Sequence, residues 1–271
     1  MSKEKIPMPK ADFHVDANPK SYVKKMIGVV SGKGGVGKSS VTGLCAMWAL
    51  RRGYKTGIMD CDITGPSIPK MFGVGPNDVG VEDLSPDGEN GTLLPAETAT
   101  GIKIMSMNLL MADEEQPVIW RGPVVAGVVK QFWTDVNWGN VDYLFVDMPP
   151  GTGDVPLTVF QSLPIDGIII VTTPQDLVSM IVGKAVNMAR SMDIPILGVV
   201  ENMSYALCPH CGGKIEIFGE SHAMEVALKE GTVLIDTLPI DPKLADAMDQ
   251  GLMEYYETTA LEGLVNVLPT V

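Results

Sequence analysis

The chain has 271 residues, 45% of them hydrophobic, and a formal charge of −13 at pH 7. That length and composition fit a packed globular protein with one substantial core or two small ones, and the acidity disfavours non-specific binding to nucleic acid or anionic membranes. No apolar run approaches the ~20 residues that cross a bilayer, and the opening MSKEKIPMPK lacks the apolar stretch of a signal peptide, so a cytoplasmic location without stable membrane or nucleic-acid association is expected.

Residues 1–24 are polar, contain three prolines and show little periodicity, and read as an N-terminal arm or loosely docked strap. Regular structure is expected to begin with the buried-strand run MIGVV at 26–30, followed by a glycine-rich loop and a helix over 38–52. TGIMDCD supplies the next strand. The stretch 65–101, rich in Gly, Pro and Asp, reads as irregular. A strand near 101–106, a helix after Arg121-Gly122-Pro123 and the strand VDYLFVD follow. Next come a helix after Asp154, the strand DGIIIV, a helix over 176–190 and the strand PILGVVEN. A cysteine-bearing insertion, a helix near 221–230, the strand TVLID and helices from Asp241 complete the chain. This alternation, without internal repeats, predicts an α/β fold with a mostly parallel, doubly wound sheet and helices on both faces. The expected organisation is a single domain over 25–271, with the insertion near 205–216.

Gly32-Lys33-Gly34-Gly35-Val36-Gly37-Lys38-Ser39 satisfies GxxxxGK[ST] between a predicted strand and helix. Glycines let the loop curl so that its N–H groups converge on phosphate oxygens. Lys38 brings positive charge to the β and γ phosphates, and the Ser39 hydroxyl can ligate Mg²⁺. Ser40 continues the loop into the helix. The fold expected is therefore that of a P-loop NTPase. Asp60 and Asp62 lie at one strand end, with alternation placing them on one side and Cys61 in the core. Asp147, at the end of a second apolar strand, is placed to act near Mg²⁺, ahead of the turn Gly151-Thr152-Gly153-Asp154. Asn202 ends a further strand and carries both the acceptor and the donor needed to read an adenine edge, although a strand-end turn asparagine accounts for it equally simply.

Lys33 is extra to the basic loop pattern. KGGVGKS resembles the deviant Walker A motif of the MinD/ParA/NifH-type ATPases. That resemblance implies that Lys33 contacts the nucleotide of a facing subunit, and hence a dimer. It also implies that Asp62 polarises the attacking water while Asp60 supports Mg²⁺ through water. Catalysis is accordingly assigned to Lys33, Lys38 and Asp62, and Mg²⁺ support to Ser39, Asp60 and Asp147. Asn202 matches the family's adenine-contacting asparagine, and LPIDPKL around Pro239 and Asp241 resembles the second wall of its base pocket.

The remaining motif is Cys208-Pro209-His210-Cys211, followed by Gly212-Gly213. Read alone, a CxxC is a reduced structural pair, a redox motif or half a metal site. It lacks the strand-then-helix setting of a thioredoxin motif, and the glycines suit a metal knuckle. Zinc and iron–sulfur clusters normally take four protein ligands. His210 is poorly placed as a third, Cys45 falls within a helix and Cys61 points to the core. Two copies of the chain would supply four thiolates across a two-fold axis. Ligand count does not choose between zinc and iron–sulfur.

The ordered set GKGGVGKSS, DCDITGPSIP, WRGP at Trp120 to Pro123, DYLFVDMPPGTGD, ENMSY and CPHCG resembles the Mrp/NBP35 (ApbC-type) iron–sulfur cluster carrier family over about 24–268. The resemblance implies slow ATP hydrolysis and a [4Fe–4S] cluster bridged by Cys208 and Cys211 of two subunits. Cluster-assembly donors and apo iron–sulfur proteins are the implied partners. No cysteine precedes Cys45, so the chain is similar to the shorter prokaryotic members. A MinD/ParA-like positioning or partition ATPase fits the loop equally well but leaves the cysteine pair unexplained. Nitrogenase-type reductase chemistry does not match the cysteine spacing.

Overall fold

The computed structural model describes residues 15–62, 65, 67–83, 91–111, 122–151, 154–174 and 178–271. β1 (Tyr22–Ser31) leads through the glycine loop to α1 (Lys38–Arg51), β2 (Thr56–Asp60) and the short α2 (Ile68–Phe72). The stretch expected to be irregular contains β3 (Gly80–Glu82), β4 (Thr92–Leu94) and β5 (Ala96–Glu97), before β6 (Lys103–Met105). There follow α3 (Gly122–Thr134), β7 (Asn140–Asp147), α4 (Asp154–Ser162), β8 (Gly167–Thr172) and α5 (Val178–Ser191). β9 (Ile196–Leu207), β10 (Lys214–Ile215), α6 (Ala223–Lys229), β11 (Leu234–Ile240) and α7 (Pro242–Asp249) complete the series.

Among the described residues, nine strands form the main sheet in the order β10-β9-β8-β1-β7-β2-β6-β5, with β11 on the free edge of β9. The pairings that carry the sheet are parallel, and only the short β5 and β10 add antiparallel edges. Continuous burial along TGIMD and GIIIVT follows from helices covering both faces, which removes the need for polar alternation. One face packs Phe132, Trp138, Leu144, Val146, Ile168 and Val186 into a core against α3, α4 and α5. The other packs Ile27, Val29, Trp48, Ile58, Phe145 and Ile169 around α1.

The chain leaves β1 for β2 on one side, returns through β7, and then crosses to β8 on the other side of β1. In an open α/β sheet this reversal opens a crevice at the carboxyl ends of the strands, where ligands bind. The glycine loop, Asp60 and Asp147 all lie at those ends.

The elements depart from sequence expectation in two instructive places. β1 begins at Tyr22 rather than at the apolar run, because Tyr22 to Lys25 already pair with β7 while alternating between exposed and half-buried. Just before it, part of the expected arm lies along α3: Trp133 Nε1 donates to the Val15 carbonyl at 3.0 Å, and the amide of buried Asn18 donates to the Trp133 carbonyl at 3.0 Å. β9 runs well past Asn202 to Leu207, since β11 and β10 pair with its distal half. No helix among the described residues is long and apolar enough to cross a membrane.

Candidate functional site

The turn from β1 into α1 is shaped by Gly35 and Gly37, at φ 78° and 76°, a region that strains any residue with a Cβ. Gly37 is also the N-cap of α1, and among the described residues no side chain caps that helix. The first amides of a 14-residue helix therefore face the loop with neither a side-chain acceptor nor an acidic residue in the first turn. Such an end is suited to phosphate oxygens.

Lys38, in the first turn of α1, is buried with its Nζ 2.8 Å from Asp147 Oδ1 and 3.7 Å from Asp62 Oδ2. Among the described residues its ammonium finds no geometrically good hydrogen-bond partner despite these charges. The group is thus neutralised but retains donors for an incoming anion, which fits a nucleotide phosphate. Ser39 Oγ donates to Asp147 Oδ2 at 2.6 Å, so the hydroxyl and the carboxylate already stand together where Mg²⁺ would take both as ligands. Thr42 Oγ1, one turn further along α1, bonds Asp147 Oδ1 at 2.7 Å.

Asp60 and Asp147 are register partners at the ends of β2 and β7 and are almost wholly buried. Burial, and then the negative charge of Asp147, push the Asp60 carboxyl up to about 8, against the opposing pull of Lys38. Asp60 Oδ2 accepts from Ser106 Oγ at 3.0 Å, and Oδ1 accepts from the Asp62 amide at 3.1 Å. That second bond aims the half-buried Asp62 back toward Lys38. A divalent cation here would relieve the repulsion between the two buried carboxylates, so the donor set fits Mg²⁺.

Lys33 is half-buried on the loop, whose backbone is tied by Ser31 Oγ donating to the Lys33 carbonyl at 2.9 Å. Gly32 and Gly34 lie on the loop between β1 and α1, and Ser40 lies in the first turn of α1. Asn202 is buried against this loop, and its Nδ2 donates to the Val36 carbonyl at 2.9 Å. Pro239, on β11, pairs with Tyr205 rather than Asn202. Asp241 caps α7 through the Lys243 amide at 2.8 Å and accepts from Tyr256 Oη at 2.6 Å. Trp120 and Arg121 of WRGP, Ile63, Thr64 and Pro66 of the Asp60 segment, and Thr152 and Gly153 lie outside the described residues.

Cys208 to Cys211 occupy the tip between β9 and β10, away from the nucleotide loop. The Cys208 amide donates to the Gly213 carbonyl at 2.9 Å, and the Gly212 amide donates to the Cys208 carbonyl at 2.9 Å. Gly212 takes φ 70°, which closes the turn. The backbone amides of His210 and Cys211, and the Cys211 thiol, hydrogen-bond Cys208 sulfur and hold its thiol below the ordinary range. Amides directed at a sulfur favour thiolate, the form that ligates metal. Cys211 is exposed and Cys208 half-buried, whereas Cys45 and Cys61 are fully buried and burial raises both thiols. Among the described residues, no group of three or more His, Cys, Asp or Glu is arranged to hold a metal ion.

Thr42 and Ser106 escaped the sequence reading. Thr42 stands four residues after Lys38, hence on the same helical face, and that spacing is the signal for it. Ser106 has no local signal, because only the β2–β6 pairing brings it to Asp60.

Comparison with known proteins agrees with this arrangement. A ParA family model described as NUBPL iron-transfer P-loop NTPase matches residues 22–267. An iron–sulfur cluster carrier protein of Clostridium perfringens is 49% identical, across 86% of this chain and 82% of its own length. One from Pyrococcus horikoshii is 48% identical, across 87% of this chain and 81% of its own. Among solved structures, a nucleotide-binding protein from Archaeoglobus fulgidus in complex with ADP is 42% identical and aligns at a TM-score of 0.78, covering 89% of this chain and 91% of that one. MinD from Aquifex aeolicus, at 20% identity and a TM-score of 0.55, shares the fold. With this family match and the P-loop geometry together, the chain belongs to the Mrp/NBP35 (ApbC-type) iron–sulfur cluster carrier family within the ParA/MinD P-loop NTPases.

Proposed function

We propose that the protein is an ATP-dependent carrier that binds a [4Fe–4S] cluster between two copies of the chain and transfers it to apo-proteins. Family and fold together support ATP binding and hydrolysis and, in general terms, iron–sulfur carriage. The observation that carries the finer reading is the Cys208–Cys211 tip: two accessible thiols on a knuckle whose amides favour thiolate, and half the ligands that a cluster needs. A second copy supplies the other half. The unit at work is the ATPase domain over 25–271, with the insertion near 205–216. A reducing, cytoplasmic setting keeps the exposed pair available, and cluster-assembly donors and apo iron–sulfur proteins are its partners.

The amides at the start of α1 and the Lys38 ammonium orient the triphosphate, and Lys33 reaches the nucleotide across the dimer. Mg²⁺, held by Ser39 with Asp60 and Asp147, would offset charge on the β and γ phosphates. Asp62 positions the attacking water. Its contribution is orientation in line with the leaving oxygen rather than early proton removal, because phosphoryl transfer passes through a loose transition state in which positioning dominates. Asn202 and Pro239 border the base. Hydrolysis is slow, because switching and partner encounter set the pace.

Anaerobic reconstitution followed by Mössbauer spectroscopy tests this reading. The expected result is four irons per dimer, lost in both Cys208→Ala and Cys211→Ala. A zinc-only site that accepts no cluster would refute it.

A further inference from the structure

β9 runs from the nucleotide loop to the cysteine tip. Asn202 lies on it and holds the Val36 carbonyl of the nucleotide loop, and Cys208 is the first residue beyond its end. The contact at the loop is close-packed. A Cβ at Gly37 would come within 2.2 Å of Asn202 Nδ2 and 3.5 Å of Met203 Cε. A shift of the loop toward this strand is therefore transmitted, since there is no space to absorb it.

The strand is irregular at this point. Thr237 pairs with Glu201 and Pro239 with Tyr205, so a single β11 residue, Leu238, stands opposite Asn202, Met203 and Ser204. Met203 takes φ 56°, a strained value for a residue with a side chain. Pairing with β8 ends at Glu201, and pairing with β10 begins at Ala206. The bulge thus separates the part of β9 paired with β8 and β11 from the part that pairs with β10 and the end of β11 and carries the cysteine tip. Ser204 Oγ spans it, donating to Glu201 Oε2 at 2.6 Å, while the other oxygen of this fully buried glutamate has no partner among the described residues. A buried carboxylate left half-satisfied beside a strained backbone is a place where strain is stored.

We infer that Glu201 and Ser204 are positioning residues for a joint at this bulge, through which phosphate occupancy of the nucleotide loop sets the position and accessibility of the Cys208–Cys211 tip. The inference rests on the nucleotide-site reading above and supplies its link to the cysteines. Phosphate binding reorders the Val36–Gly37 backbone, Asn202 follows, and the bulge converts that displacement into a movement of Tyr205 to Leu207.

Alkylation gives a direct readout in the full, metal-free and reduced protein, because Cys45 and Cys61 are buried and only the tip pair reacts. Iodoacetamide labelling of the 208–211 peptide is followed by mass spectrometry with and without Mg²⁺ and a non-hydrolysable ATP analogue. Hydrogen exchange at 205–213 is measured alongside, and calorimetry reports analogue affinity. In the unaltered protein, saturating analogue changes the labelling rate by about 5-fold or more, the lower end of ordinary allosteric coupling. Ser204→Ala and Glu201→Gln keep the analogue affinity but reduce that change to less than about 2-fold, and Ser204→Thr, which retains the hydroxyl, restores it. Labelling and exchange indifferent to bound analogue, or a full response in both uncoupled variants, would overturn the joint while leaving the nucleotide site standing. Failure of the unaltered protein to bind the analogue would overturn both.

Discussion

Asp60 and Asp147 end adjacent parallel strands as direct register partners, both buried, and Lys38 Nζ lies 2.8 Å from Asp147 Oδ1. Asp60 is pushed up to about 8 by burial and by its neighbour's charge. It therefore stays protonated in the folded protein below that pH, whereas an unfolded aspartate ionises above about 4. Between those limits the folded state holds the extra proton, so stability falls as pH rises through the window. In magnesium-free buffer, Asp60→Asn should stabilise the protein at pH 7 by on the order of 2 kcal/mol, with a smaller gain at pH 5. Thermal melts at the two pH values check both the sign and the trend.

Lys38 offsets the same charge cluster from the helix side. Lys38→Ala leaves buried Asp147 without its counter-ion and is expected to destabilise the nucleotide-free protein by about 3 kcal/mol. It should also abolish productive ATP binding. Adding Asp147→Asn restores much of the stability but none of the binding, because the ammonium, not the carboxylate, meets the phosphates. Denaturant melts paired with calorimetric titration separate the two effects.

Asp62 borders this network: it is half-buried, and its Oδ2 lies 3.7 Å from Lys38 Nζ. Asp62→Ala should bind ATP nearly as well as the unaltered protein and lose about 100-fold or more in turnover, the scale that misplacing a reacting group costs. Steady phosphate release at saturating ATP is the measurement. Undiminished hydrolysis would remove Asp62 from the catalytic assignment.

Gly37 faces two independent obstacles to a side chain, a positive φ and the amide of Asn202. Gly37→Ala is expected to destabilise the protein by about 2 kcal/mol and to weaken nucleotide affinity. Combining it with Asn202→Ala removes the steric obstacle and leaves the conformational one, so stability returns in part. Full recovery in the double variant would assign the whole effect to the clash.

Much of this protein is legible along the chain. Apolar runs of strand length between helical segments determine a parallel α/β sheet, since only strands covered on both faces can be continuously hydrophobic. Gly32 to Ser39 determine the phosphate loop because their chemistry is local: conformational freedom, backbone amides and one lysine. Cys208 and Cys211 are legible for the same reason, as their spacing fixes a knuckle without reference to distant residues. What depends on strands distant in sequence was decided only by folding. The β2–β6 and β2–β7 pairings bring Ser106 and Asp147 to Asp60 and thereby raise its proton affinity, and no local pattern encodes a desolvated neighbour. The mismatch between β9 and β11 throws out a bulge at Asn202 to Ser204, which turns the amide of Asn202 onto the loop 166 residues earlier. The sequence determined the glycine loop and the cysteine pair; tertiary packing set them in contact with the same strand, β9.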